Sequence, residues 1–198
     1  FKGKINFKYF FLGIFFGMLN FSNIYFYIKA HKAFAQSPTL VFITMNLGVI
    51  IGGNNSLFIM STQHLKQQLD FIFEIFHDYE IAVTTSPRTP KEIETLIESY
   101  PFAYSVIFSQ NKINPISDFL HHCEVVFITM DSTSMISEAI SYGASYVEIL
   151  PLNNAKENKF STMAHNLEKE GYLHIFDGKI AHKNKKIDFE MYAKKALS

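Results

Sequence analysis

With 198 residues the chain has material for one domain of ordinary size plus an extra segment, and too little for two full Rossmann-like domains. Lys plus Arg equals Asp plus Glu at 18 each, which excludes a global electrostatic attraction to nucleic acid or to an acidic membrane surface, so any anion site must be local. A lone cysteine, Cys123, excludes an intrachain disulfide framework and a cysteine-rich zinc site, and its apolar neighbours read as the setting of a buried, inert thiol.

Residues 9–28 run for 20 residues without a charge, flanked by Lys2, Lys4 and Lys8 before and Lys29 and Lys32 after. A helix of that length reaches across a hydrocarbon core of about 30 Å, so a membrane anchor is one expectation for this apolar helical segment. Asn20, Ser22 and Asn23 near the middle of the run stand against it, because each needs a polar partner in lipid. A signal sequence is a second reading, with Ala33-Phe34-Ala35 as a small-residue cleavage site lying too far from the most apolar stretch. The third is a remnant where an N-terminal domain would stand. Residues 1–39 are therefore set apart from a domain spanning 40–198, and no catalysis is assigned to them.

From residue 40 onward strands and helices alternate. Leu47 to Ile51 is a continuous apolar run that stops at Gly52-Gly53-Asn54-Asn55, the pattern of a strand buried on both faces. Leu65, Leu69, Ile72, Phe73 and Phe76 then recur on one helical face, opposite Lys66, Gln67 and Asp70. Glu80 to Thr84 is the second strand. Thr89, Pro90 and Glu92 next have the spacing of a capping box, which predicts a helix from an N-cap at Thr89 to about Ser99. A third strand is predicted over Tyr104 to Ser109, and a short helix near Pro115 carries Ile116, Phe119 and Leu120. Glu124 to Met130 is strongly β-branched and reads as the fourth strand, followed by a helix opening at Asp131-Ser132-Thr133-Ser134. The fifth strand is Tyr146 to Leu150, after Gly143, and helices are predicted over residues 156–169 and 189–197. Mostly apolar strands separated by helices imply an α/β fold, a Rossmann-like parallel sheet flanked by helices.

In such a sheet the ligand crevice lies beyond the carboxyl ends of the strands. Three polar loops fall there, at 52–56, 84–89 and 129–134, each leading toward a helix start whose unpaired N–H groups favour a phosphate. Gly52 and Gly53 would let a ligand approach the backbone and permit positive φ, or would simply make a tight turn. Asn54, Asn55 and Ser56 either donate to phosphate oxygens or cap the turn. Arg88 is the only fixed cation of the three loops; its guanidinium either grips a diphosphate or braces a carbonyl. Thr85 and Ser86 offer hydroxyl donors. Ser134 and Glu138 share one face of a helix start, either to hold phosphate and ribose hydroxyls, with Ser132 beside them, or to cap the helix and complement its dipole. No dinucleotide fingerprint and no P-loop occurs. The His121-His122-Cys123-Glu124 run is not taken as a metal site, because adjacent side chains point in different directions.

The stretches 50–54, 84–90 and 129–139 resemble the Elongated Mitochondria family of plant mitochondrial fission factors and their bacterial relatives, the latter regarded as candidate glycosyltransferases. The likeness in order and spacing covers residues 47–155 and implies the C-terminal, donor-binding half of a GT-B fold. It would put Gly52, Gly53 and Asn54 in the phosphate loop, Ser86, Arg88 and Thr89 on the diphosphate side, and Asp131, Ser132, Ser134 and Glu138 on the nucleoside side. Pro87 stands where the family pattern has a second arginine, which leaves the anion site one cation short. The implied substrate is a nucleotide sugar, with a glycan or lipid-linked acceptor of the cell envelope, no cofactor, no metal and no nucleic acid. The implied setting is cytoplasmic, at or anchored to the inner membrane. The plant relatives' role in recruiting a dynamin-like GTPase suggests the alternative of a non-catalytic interaction module.

Overall fold

The continuous β-branched runs that read as strands pair side by side in the computed structural model, which describes residues 47–152, 158–181 and 184–189. In chain order the elements are β1 (Leu47–Ile51), α1 (Thr62–Ile75), β2 (Ile81–Thr85), α2 (Lys91–Glu98), β3 (Tyr104–Val106), α3 (Ile116–His122), β4 (Val125–Thr129), α4 (Thr133–Ser141), β5 (Tyr146–Leu150), α5 (Lys159–Lys169) and β6 (His174–Ile175). All pairings are parallel and the order across the sheet is β3-β2-β1-β4-β5-β6. Strands are added outward in one direction up to β3 and in the other from β4, so the order reverses between β1 and β4. Two neighbouring loops leave the sheet on opposite faces at such a point and open a crevice.

Every residue of β1, β2 and β4 is buried, as a central parallel strand covered on both faces requires. Register pairs Val49 with Val83 on one side and with Phe127 on the other. Against this centre α1 lays Leu65, Leu69 and Ile72, all within 1% of full burial. Burying each such side chain stabilises the fold by about 2 kcal/mol. Phe73 and Phe76, expected on the same face, are half-buried at its margin, Phe73 against Phe102 and Phe76 against Phe127. Gly143 lies at φ +74°, and a Cβ there would sit 2.1 Å from the Leu120 carbonyl oxygen, so the turn from α4 into β5 requires glycine. The end of α4 is strapped by residues 184–187: Lys186 Nζ donates to the Ala139 carbonyl at 2.6 Å, and Ile187 N–H to that of Ile140 at 2.8 Å.

Several expectations shift. The third strand ends at Val106 because the chain turns there, Gln110 N–H reaching back to the Ile107 carbonyl. The second begins one residue later and takes in Thr85. A sixth strand, His174–Ile175, was not expected. Helix α2 is capped by Pro90 and not by Thr89, whose hydroxyl is engaged elsewhere. The apolar run 9–28 and all but the first residue of the helix expected over 189–197 lie outside the described residues. Among the described residues no helix is long and apolar enough to cross a membrane.

Candidate functional site at the carboxyl edge of the sheet

The loops after β1, β2 and β4 meet, and the group they meet on is the Asp131 carboxylate. Gly53 N–H donates to Asp131 Oδ2 at 2.8 Å, Arg88 Nη2 to the same oxygen at 3.2 Å, and Thr129 Oγ1 to Oδ1 at 2.7 Å. The Asp131 carbonyl in turn accepts from Asn55 Nδ2 at 3.1 Å. The Asp131 side chain is wholly buried, whereas that of Arg88 is 44% exposed, so the ion pair has one inner and one outer half. Burial pushes the Asp131 carboxyl above the ordinary aspartate range, and the bonds from Gly53, Thr129 and the Arg88 charge partly pull it back.

Two further contacts close the rim. Thr89 Oγ1 donates to the Gly52 carbonyl and accepts from Ser86 N–H at 2.9 Å, which clasps the β2 loop to the β1 loop. Asn54 N–H donates to the Arg88 carbonyl at 3.2 Å. This explains the glycines. Neither Gly52 nor Gly53 has positive φ, contrary to one of the conformational freedoms expected of them. A Cβ on Gly52 would instead lie 2.2 Å from Asp131 Oδ2, and one on Gly53 2.1 Å from the Arg88 carbonyl oxygen. Glycine is needed for the loops to touch each other.

The amides of the β1 loop are accordingly spent inside the protein. Gly52 N–H donates to Thr129 Oγ1 at 2.7 Å, and Asn55 N–H to the Phe58 carbonyl at 3.0 Å. Asn54 Oδ1 accepts from Met60 N–H, and Asn55 Oδ1 from Leu57 and Phe58. The loop is self-contained, and its glycines aim no amide outward. Among the residues singled out from sequence, Gly52, Gly53, Ser86, Asp131 and Ser132 are buried, Thr89 is half-buried, and Asn54, Arg88, Ser134 and Glu138 are exposed. Ser132 and Ser134 bring their hydroxyl oxygens within 3.2 Å at the start of α4, and Ser132, its N-cap, makes no side-chain bond to the helix amides. The N-cap residue thus leaves the first-turn N–H groups of α4, the positive end of its dipole, without a side-chain cap.

Sequence reasoning missed a cavity of about 180 Å³ adjoining this edge. Its lining comes from Thr84 to Pro87, from Phe108, Ile113, Asn114 and Ile116 beyond β3, and from Met135 in the first turn of α4. The clue was weak: Ile113 sits exposed in a loop, where an apolar residue has no core to serve. Elsewhere, Cys123 is buried and its thiol is pushed up to about 12 by burial, as expected of an inert core cysteine. His121 stacks edge-on against Tyr142 at 4.5 Å.

Residues 29–195 match the family described as mitochondrial fission ELM1. A stretch of 41 residues is 66% identical to an uncharacterized protein of Haemophilus influenzae, covering 21% of this chain and 14% of that one. Over 111 residues the chain is 31% identical to an uncharacterized protein of Rickettsia prowazekii, covering 53% of this chain and 31% of the relative. The chain thus spans less than a third of the length of these curated relatives. Among solved structures, the peptidyl-cysteine decarboxylase EpiD is similar at a TM-score of 0.46 and 14% identity, over 78% of this chain and all of that one. A variant of the same enzyme in complex with a substrate peptide gives 0.45 at 13% identity.

Proposed function

From the premise that this chain belongs to the mitochondrial fission ELM1 family, we propose that its carboxyl-edge rim binds the diphosphate of a nucleotide sugar, as the donor-binding half of a GT-B-type glycosyltransferase. The observation that carries the reading is the one-sided Arg88. Asp131, the residue before the N-cap of α4, holds one edge of the guanidinium, and the Arg88 side chain stays 44% exposed. An oriented guanidinium and a helix start together suit a diphosphate, with charge-assisted bonds from one and backbone N–H groups from the other.

The remaining residues take roles from where they stand. Ser132 and Ser134 supply hydroxyls at the helix start, and Glu138, one turn further along α4, accepts from ribose hydroxyls. Gly52, Gly53, Thr89 and Asp131 support the rim from within, Ser86 joins them through its bonds to Arg88 N–H and Thr89, and Asn54 closes the β1 loop. The acceptor side of the reaction, with a glycan or lipid-linked acceptor, belongs to a facing domain in this reading. No metal or cofactor is assigned, and Arg88 with the helix dipole offsets part of the charge on the leaving diphosphate.

Titrating the full chain with UDP-, GDP- and CMP-linked sugars by calorimetry tests the proposal. Saturable binding of at least one, weakened about tenfold or more by Arg88→Ala, is the expected result. No saturable binding of any of the three would end it. A second reading, an interaction module, draws on the exposed Ile59, Phe71 and Ile75, which are 78%, 36% and 43% accessible. It is distinguished by a partner that binds wild type and the Arg88→Ala, Glu138→Ala double variant equally well.

A further inference from the structure

We propose that the cavity beside the rim is a nucleobase subsite that selects bases presenting a ring carbonyl, such as uracil, over those presenting an amino group at the same edge, such as cytosine. The inference rests on the donor-site reading above and adds the chemical class of the base.

The cavity's position argues for it first. Ser86 and Pro87 line it immediately before Arg88, and Met135 lines it immediately after Ser134. A ligand whose phosphates lie on Arg88 and the start of α4 therefore has its next group at the cavity mouth. Size follows. At about 180 Å³ the cavity is smaller than the pockets that enclose whole drug-sized ligands, so it takes one flat ring system and leaves sugar and phosphates outside. Its walls suit a ring: Phe108 offers an aromatic face, and Pro87, Ile113, Ile116 and Met135 offer apolar contact without charge.

Hydrogen-bond accounting then sets the specificity. Asn114 Oδ1 accepts from Ile116 N–H at 3.2 Å, and because that partner is a donor, the side-chain oxygen and nitrogen are assigned without ambiguity. That bond fixes the amide's orientation and takes one of the oxygen's two lone pairs, so Asn114 offers a ligand two Nδ2 hydrogens against one remaining acceptor position. Thr85 Oγ1 accepts from Phe108 N–H at 2.8 Å, which leaves its hydrogen and one lone pair for a ligand. Between them the two side chains offer three donor hydrogens against two acceptor positions, and the Asn114 Nδ2 position, fixed by the bond to Ile116, offers donors alone. A ring carbonyl meets the Asn114 Nδ2 hydrogens with an acceptor, whereas an exocyclic amine at the same place sets N–H against N–H and leaves both unpaired there.

Asn114→Asp is the discriminating variant. A carboxylate keeps an oxygen for Ile116 N–H and, ahead of α3, complements the helix dipole, so the fold is retained and a thermal melt verifies it. It replaces the Nδ2 donors with an acceptor. Affinities of wild type and variant are measured for UDP and CDP, and for GDP and ADP, and each pair is read as a ratio, which cancels the repulsion the new charge exerts on every diphosphate. Wild type is expected to favour UDP over CDP, and GDP over ADP, by about tenfold or more, and the variant to lower both ratios by a similar factor. Wild type binding UDP and CDP equally, or ratios unchanged in a folded variant, overturns the inference while leaving the diphosphate site standing. Binding of none of the four by wild type ends both.

Discussion

Two buried acids, in different parts of the sheet, do different work. Asp131 lies in the loop beyond β4 and Glu148 in the middle of β5; neither side chain has exposed surface, and burial pushes both carboxyls above their ordinary range. Glu148 faces its register partner: His174 Nδ1 lies 2.6 Å from Glu148 Oε2, and Ala181 N–H donates to Oε1 at 2.8 Å. That pair pins the short β6 and the segment after it to the sheet, and the His174 side chain is only 21% exposed. Asp131 instead has a partner that is half in water. The same device, an internal carboxylate, finishes an edge in one place and presents a cation in the other. A buried acid is therefore no evidence of ligand contact, and the exposed side of its partner tells the two apart.

The strongest way to break this comparison is at Gly53. A Cβ there meets backbone, which cannot swing away, so Gly53→Ala is expected to cost about 3 kcal/mol in urea unfolding and to abolish diphosphate binding. Gly171, at φ +79° with open space around a Cβ, is the control, and alanine there should cost about 1 kcal/mol through backbone strain alone. Equal costs at the two positions would mean that the rim loops do not pack as described.

Next in size are the acids themselves. Asp131→Ala leaves the buried Gly53 N–H without an acceptor, for about 2 kcal/mol of stability, and Glu148→Ala removes the acceptor of the half-buried Ala181 N–H, for about 1 kcal/mol. Only the first should also weaken diphosphate binding. A loss of binding in the Glu148 variant would show that the two regions are not independent.

The dependence on pH sharpens the same contrast. Because burial raises the folded-state pKa of Asp131 above its ordinary 3.8, its contribution to stability is complete below that value and is lost as pH rises through the raised one. Asn at this position does not titrate. The melting temperature of wild type relative to Asp131→Asn should thus fall as pH is raised from 3.8 upward, and a relative rise would contradict the assigned direction. Glu148→Gln should follow the same sign from 4.5. The smallest stability effect is expected at Ser134, which is exposed: Ser134→Ala should stay within about 0.5 kcal/mol of wild type while weakening nucleotide binding. A large destabilisation there would return Ser134 to the role of a helix cap.

The strands were readable because a parallel strand is covered on both faces and writes an unbroken apolar run, as Val125–Thr129 does. β6 wrote no such run; His174 and Ile175 are half-buried edge residues held by pairing with Glu148 and Ile149. Thr89 had the right spacing for a capping box, but its hydroxyl found Ser86 N–H and the Gly52 carbonyl across the rim, partners that no local pattern contains. The meeting of three loops at one edge followed from topology alone, since successive parallel strands must send their carboxyl ends the same way.

The order of strands and helices, and the edge on which the polar loops gather, were determined by the chain locally, through runs of apolar residues a few positions long. Which of those polar groups face inward was decided only by folding. Asp131 and Arg88 stand 43 residues apart, and Gly53 and Asp131 stand 78 apart. Whether a carboxylate meets a ligand or an amide of its own protein depends on what arrives beside it, and that neighbour comes from a different strand of the sheet.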